Sequence, residues 1–258
     1  MKPVVFIGAG PGAADLITVR GAQRLARAQV VLHDALTDPA LRALAPDAQW
    51  IDVGKRGFCD STGQARINAL LVRYASQGQA VVRLKGGDPS IFGRLEEELE
   101  ALAEAGIECE VVPGVTAAIA AAAATQRPLT RRGVGRGVAL TTAMTKDGDL
   151  RASRNADTEV FYMAGRQLGA LSRGLLDAGW PAATAVCVVS RAGWPDQIAS
   201  DHHIDTLAEA ALLHSGRPTV VTVGAGACAV ATNTAAGAAG ASRAGTKMPR
   251  YSTSAAPQ

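Results

Sequence analysis

Short β-branched runs alternate with alanine- and leucine-rich stretches along most of this chain, and that rhythm constrains its fold more than any other feature. Val4 to Ile7, Val30 to Leu32, Ile51 to Val53, Val81 to Leu84 and Cys109 to Val112 read as strands. Between them, Leu16 to Ala28, Pro39 to Leu44, Ile67 to Ser76 and Leu95 to Ala105 read as helices, the last closed by Gly106. Thr116 is placed to cap an alanine-rich helix that runs to about Thr125. Such alternation predicts an α/β fold on a mostly parallel sheet. Apolar residues make up 48% and aromatics only 4% of the chain, so the core is built from Ala, Val and Leu.

A break falls at Arg127 to Gly137, where arginines and glycines crowd behind a proline. It divides the chain into an N-terminal α/β domain, 1–131, and a C-terminal α/β domain, 137–228. The second half places strands at Val138 to Thr142, Glu159 to Met163, Ala185 to Val189, Gln197 to Ser200 and Thr219 to Val223. Helices are expected at Leu171 to Asp177 and Asp205 to Leu213. The closer strand spacing predicts a mixed sheet. From Val230 onward periodicity is lost, and 229–258 reads as a disordered tail.

The 258 residues carry a net charge of +3, without the basic stripe of a nucleic-acid binder. An anionic small substrate suits that balance better. The start, MKPVVFIGAG, lacks the long apolar stretch of a signal peptide, and no apolar run approaches the ~20 residues that cross a bilayer. A cytoplasmic protein is expected. Cys59, Cys109, Cys187 and Cys228 show neither C-x-x-C spacing nor a zinc-type Cys/His pattern, so reduced thiols and no metal site are expected.

The segment Val81 to Arg94, VVRLKGGDPSIFGR, carries the strongest functional signal. A buried-type strand breaks at Gly86-Gly87, presents Asp88 and turns at Pro89. Adjacent glycines let a ligand approach the backbone, and the carboxyl end of such a strand is where open α/β sheets bind ligands. A second glycine-rich turn (Gly8, Gly10, Gly12) follows the first strand, and Asp34 lies 24 residues beyond Gly10. This mimics a dinucleotide fingerprint. However, Ala13 stands where the third glycine is usual, and Pro11 and the Ala13-Ala14-Asp15 run delay the helix, so a pyrophosphate would not meet a clean helix N-terminus. The lining of another ligand accounts for the pattern best, ahead of a structural tight turn and of a dinucleotide site. Glu96-Glu97-Glu98 is expected on the exposed first turn of a helix, where acids favour the dipole. His202-His203 is expected at a surface turn.

Several motifs occur in one order: GAGPG (Gly8 to Gly12), VVLHD (Val30 to Asp34), VGKR (Val53 to Arg56), VVRLKGGDPSIFGR, VVPGVTAA (Val111 to Ala118), PLTRRGV (Pro128 to Val134) and FYM (Phe161 to Met163). In this the chain resembles the tetrapyrrole methylase family, and VGKR and RLKGGDP-IFGR point to members that act on uroporphyrinogen III. The resemblance implies a two-domain tetrapyrrole methylase fold (class III methyltransferase), with the active-site cleft between domains and a homodimer as the working unit. It implies S-adenosyl-L-methionine as cofactor, leaving as S-adenosyl-L-homocysteine. Carried over, the cofactor residues are Pro11, Gly86, Gly87, Asp88, Ile91, Thr116, Ala117, Met163 and Ala192. Asp34 is the implied proton acceptor and Lys55 the implied donor. The implied reaction methylates uroporphyrinogen III at C2 and C7 to give precorrin-2, for sirohaem or cobalamin.

Methyl transfer from a sulfonium to carbon is an in-line displacement, and alignment alone supplies about 7–11 kcal/mol. Main-chain oxygens near Gly86-Gly87 would suit the positive sulphur. Attack by a pyrrole carbon leaves a cation that must shed a proton, which a carboxylate can accept. A polycarboxylate macrocycle favours arginine forks, for which Arg56, Arg94, Arg131, Arg132 and Arg136 are candidates. On residue pattern alone, Asp34 could equally cap the next element, and Lys55-Arg56 could be a solvated turn. Arg131 and Met144 stand where the family has histidines, and Ser190 and Ala192 stand where it has an acid and a glycine. Another precorrin methyltransferase, a homologue that binds without turnover, or a nucleotide-dependent oxidoreductase remain the alternatives.

Overall fold

A computed structural model of the chain describes residues 2–54, 63–143 and 152–230. The first half builds a five-stranded sheet from β1 (Val4–Gly8), β2 (Val30–His33), β3 (Gln49–Asp52), β4 (Val81–Lys85) and β5 (Cys109–Val112). Its order is β3-β2-β4-β1-β5, and every pairing is parallel. Successive side chains alternate between two buried faces, as a parallel sheet covered on both sides requires. Phe6, Leu32 and Val81 pack on one face with Ile67, Leu71 and Leu102. Ile7, Val31 and Leu84 pack on the other with Leu25 and Leu41. The covering helices are α1 (Val19–Leu25), α2 (Gln64–Ser76) and α3 (Leu95–Glu104).

The helix expected from Leu16 splits. A single 3-10 turn spans Ala14–Leu16, Ile17 is extended, and the Thr18 hydroxyl caps α1 by accepting from Gly21 N at 3.1 Å.

The second half builds another five-stranded sheet from β6 (Val138–Thr142), β7 (Thr158–Tyr162), β8 (Ala185–Ser190), β9 (Ile198–His203) and β10 (Thr219–Gly224). Its order is β6-β7-β10-β8-β9, with β6–β7 parallel and the remaining pairs antiparallel, a mixed sheet. The helices here are α4 (Ala117–Ala124), α5 (Leu168–Asp177) and the short α6 (Ala211–His214). Leu168, Leu171 and Leu175 of α5 cover one face. On the other, Ala118, Ala120 and Ala121 of α4 pack with Val160, Val189 and Val220. So α4, which precedes the expected linker, lies on the second sheet. His202 and His203 end β9 rather than forming a turn, because that edge strand runs farther than its sequence pattern announces. The expected tail lies outside the described residues beyond position 230, as do Lys55, Arg56, Cys59 and Met144.

His214 is fully buried. Its Nδ1 pairs with Ser190 Oγ at 3.0 Å and its Nε2 with Ser200 Oγ at 2.8 Å. Ser200 Oγ also meets His202 Nε2, and Arg217 Nε donates to Ser190 Oγ. Burial, with the positive groups of His202 and Arg217, holds the imidazole below its ordinary 6.5. On acidification below that value the unfolded chain takes up this proton before the folded one does, so stability falls with pH through that window. Urea midpoints should therefore drop between about pH 7 and pH 5, and His214→Asn should flatten the drop. Parallel slopes for the two proteins would exclude His214 as the cause.

Candidate active site

The carboxyl ends of β1, β4 and β5 converge on three glycines. A Cβ on Gly8 would lie 2.5 Å from Gly114 Cα and 2.7 Å from the Gly87 oxygen. A Cβ on Gly114 would lie 2.4 Å from that same oxygen. Gly10 and Gly87 then form an antiparallel bridge, with N–O distances of 3.2 and 2.7 Å. The Gly87 carbonyl is therefore taken by Gly10. The φ of Gly87, +71°, favours glycine. Towards the interior these loops are tightly packed, whereas a Cβ on Gly86 or Gly87 would meet nothing nearer than 3.6 or 3.9 Å. The bend thus presents bare backbone to open space.

Asp88 staples this arrangement. Its Oδ1 accepts from Ser90 N and its Oδ2 from Gly114 N, each at 2.8 Å. Ile91 N closes the turn onto the Asp88 carbonyl at 3.2 Å. Asp34 follows β2, with Oδ1 accepting from Arg83 Nη2 at 2.6 Å and Oδ2 from Gly86 N at 3.2 Å. Its side chain is 31% exposed, so this fixed carboxylate still reaches solvent beside the bend.

The second sheet closes the other side. Tyr162 Oη pairs with Thr116 Oγ1 at 2.7 Å and accepts from Ala118 N at 3.3 Å. Thr116 precedes α4, but its hydroxyl is used on Tyr162 rather than as a side-chain cap. Burial pushes the Tyr162 phenol above its ordinary value. Phe92 stands edge-on to Tyr162 with ring centres 5.0 Å apart. Phe92 (φ 51°), five residues beyond the bend, and Met163 (φ 59°), which follows Tyr162, are left-handed non-glycine residues about half exposed. Such strain persists where the surroundings enforce it and concentrates at functional sites.

The turn after β8 grips the glycine-rich loop. Trp194 Nε1 donates to the Pro11 carbonyl at 3.1 Å, and Ala13 N donates to the Gly193 carbonyl at 2.9 Å. A Cβ on Gly12 would strike Trp194 and the Ala192 carbonyl, so the loop that follows Pro11 packs directly on buried Ala192. Arg191 stacks 4.4 Å over Trp194 and pairs with Asp196.

The structure thus gathers Asp34, Gly86, Gly87, Asp88, Ile91 and Thr116 with the Pro11 loop and Ala192, while Ala117 and Met163 follow directly on Thr116 and Tyr162 in sequence. It does not gather all the arginines. Arg94 is nearby but its guanidinium is held bidentately by Glu97. Arg131 Nη1 faces the carbonyls of Ala225 and Cys228. These lie past the Gly224 end of β10, whereas Ser190 pairs with its Thr219 end. At about 3.3 Å per residue a six-residue strand separates the two ends by roughly 17–20 Å. A cavity of about 360 Å³ bordered by Arg154, Trp180 and Gly224 also sits at that far end, lined by none of the expected cofactor residues. Among the described residues, no cluster of His, Cys, Asp or Glu could hold a metal ion.

Glu98 is a correction. Expected on an exposed face, it is fully buried, because it shares a stripe of α3 with buried Leu102. Leu95 and Leu102, three and four residues away, carried that signal. Tyr162 and Trp194 join the site beyond the sequence expectations: Tyr162 lies within FYM, and no spacing in the sequence marks Trp194.

Residues 3–210 match the family described as Tetrapyrrole (Corrin/Porphyrin) Methylases. The chain is 45% identical over 193 residues to a uroporphyrinogen-III C-methyltransferase of Pseudomonas aeruginosa, covering 73% of this chain and 79% of that one. It is 43% identical over 210 residues to a siroheme synthase of Zymomonas mobilis, covering 79% of this chain but only 45% of that longer protein. A crystal structure of uroporphyrin-III C-methyl transferase from Thermus thermophilus, complexed with S-adenyl homocysteine, matches with a TM-score of 0.73 at 32% identity, covering 86% of this chain and 97% of that one. No helix among the described residues is long and apolar enough to cross a membrane. On its motifs, its fold and these matches, the chain belongs to the tetrapyrrole methylases.

Proposed function

We propose that this protein is an S-adenosylmethionine-dependent C-methyltransferase that converts uroporphyrinogen III to precorrin-2 by methylation at C2 and C7. The observation that carries this reading is the bare backbone of Gly86-Gly87 beside the anchored carboxylate of Asp34. A flat nucleoside needs such a side-chain-free surface, and the small Ala117 leaves room for it. Pro11, Gly86, Gly87, Asp88, Ile91, Thr116, Met163 and Ala192 would complete the cradle. When bound, S-adenosylmethionine supplies a sulfonium methyl group for in-line displacement. Asp34 takes the proton that the cationic macrocycle sheds once its pyrrole carbon has been methylated, and Lys55 acts as proton donor. Arg56 and Arg94 pair with substrate carboxylates; for Arg94 this means exchanging its exposed partner Glu97. Such an exposed pair contributes only about 0–1 kcal/mol, so a substrate carboxylate can displace it. Arg131 and Arg132 are the further candidates for substrate carboxylates; Arg131 Nη1 faces the Ala225 and Cys228 carbonyls past the Gly224 end of the second sheet.

In this reading the domains are 1–131 and 137–228, the working unit is a homodimer, and the enzyme acts in the cytoplasm on the sirohaem or cobalamin route. The position usually held by an acid, Ser190, is occupied in hydrogen bonds with His214 and Arg217, and Asp196 supplies a carboxylate to Arg191 and Arg217. The Ser190 replacement thus leaves the turn anchored. Incubation with methyl-labelled S-adenosylmethionine and uroporphyrinogen III should place two labelled methyls on each tetrapyrrole. Label appearing only on a later precorrin, or tight binding without transfer, would overturn the assignment.

A further inference from the structure

We infer that Arg83 is a positioning residue for Asp34, held in that role from inside the first sheet by Glu98. This rests on the reading that Asp34 is the proton acceptor.

Arg83 occupies the third position of β4, in register with Phe6 and Leu32. Its partners across the sheet, Phe6 and Leu32, are apolar, and its side chain is only 3% exposed. Its guanidinium is fixed on every side. Nη2 reaches Asp34 Oδ1 at 2.6 Å, Nε reaches Glu98 Oε1 at 3.2 Å, and Nη1 faces the carbonyls of Leu32 and Leu84 at 3.4 and 3.2 Å. Glu98 Oε1 also receives Lys85 Nζ at 3.0 Å and Gln64 Nε2 at 3.2 Å. Glu98 Oε2 has no hydrogen-bond partner among the described residues.

A buried ionic cluster of this kind is no better for stability than well-packed hydrophobic residues. Packing alone therefore does not explain an arginine here. Its position does: only the Nη2 end leaves the core, and it emerges on the carboxylate oxygen opposite the one held by Gly86 N. With both oxygens pinned, the Asp34 carboxylate has one orientation relative to the double-glycine bend. Arginine's planar fork transmits that orientation from Glu98 to Asp34, which the single-point ammonium of lysine cannot do. Lys85, on the same Glu98 oxygen, passes its stem beneath Gly93 and so supports the turn that follows Asp88.

The test is a double-mutant cycle on Asp34→Asn and Arg83→Lys, read as single-turnover methyl transfer with enzyme in excess. Arg83→Lys should lower the rate on the order of 10–100-fold, the size of effect a misplaced catalytic group gives. Its affinity for S-adenosylhomocysteine should change less than about threefold, since the bend's own contacts remain. In the double variant Arg83→Lys should cost little beyond Asp34→Asn, because groups acting as a unit are not additive. Losses that multiply, or an unchanged rate in Arg83→Lys, overturn the positioning role while leaving the assignment of Asp34 intact. Full activity in Asp34→Asn overturns both. Should Arg83→Lys fail to fold, Arg83→Gln, which leaves Lys85 and Glu98 as a charge-balanced buried pair, enters the same cycle with the same criteria.

Discussion

Glu98→Ala should destabilise the protein by about 3–5 kcal/mol, the loss expected when one partner of a buried ion cluster is removed. Arg83 and Lys85 are each 2% exposed, and both depend on the same Glu98 oxygen. After the substitution Arg83 keeps Asp34, but Lys85 keeps no acceptor at Glu98. Lys85 is already held below its ordinary 10.5, chiefly by burial and then by Arg83, with Glu98 opposing both. Without Glu98 the folded protein sheds that proton more readily still, while the unfolded chain retains it up to about 10.5. In that window the unfolded state binds more protons, so the variant's stability should rise with pH. Urea denaturation at about pH 7 and again at about pH 9 checks both parts, with partial recovery expected at the higher pH. Glu98→Met combined with Lys85→Met, which replaces charge by similar apolar volume, should recover much of the loss. A midpoint in Glu98→Ala equal to that of the parent would mean the cluster does not act as a unit.

The layered α/β plan was legible because its signal is local: β-branched runs for strands, helical spacing between them, and glycines at the strand ends. The double-glycine bend was legible for the same reason, since few structural turns need two glycines and an acid. Glu98 was hidden because three consecutive glutamates suggest solvent, and only its phase relative to Leu95 and Leu102 places it inward. The charges of Arg83 and Lys85 were visible on a core-like strand, yet their partner lies 13–15 residues away on a helix, a contact created by folding. Thr116 shows a related limit. Its sequence position is that of a helix cap, but a tyrosine from the other sheet competes for the hydroxyl and wins. The Trp194–Pro11 contact spans 183 residues, and no local pattern encodes it.

Gly114→Ala should cost about as much as Glu98→Ala, by packing instead of charge. The added methyl would sit 2.4 Å from the Gly87 oxygen and 2.7 Å from Gly8 Cα, and both neighbours are backbone. Relief requires the ends of β1, β4 and β5 to separate, an overpacking cost of about 1–3 kcal/mol. The movement also draws Gly114 N from the Asp88 carboxylate, a charge-assisted bond contributing about 1.5–3 kcal/mol. A total near 3–5 kcal/mol follows, together with loss of S-adenosylhomocysteine binding, because Asp88 no longer fixes the bend. Gly87→Ala separates the two effects. Its methyl meets nothing within 3.9 Å, so the main folding cost is the left-handed φ, about 1–2 kcal/mol. That methyl nevertheless points into the open space where the nucleoside is proposed to lie. Calorimetry should find Gly87→Ala folded but with its S-adenosylhomocysteine affinity lowered at least about tenfold, which is about 1.4 kcal/mol. Retained affinity in a folded Gly87→Ala protein would remove the nucleoside from the double-glycine bend, and with it the reason to read Asp34 as facing a methyl acceptor.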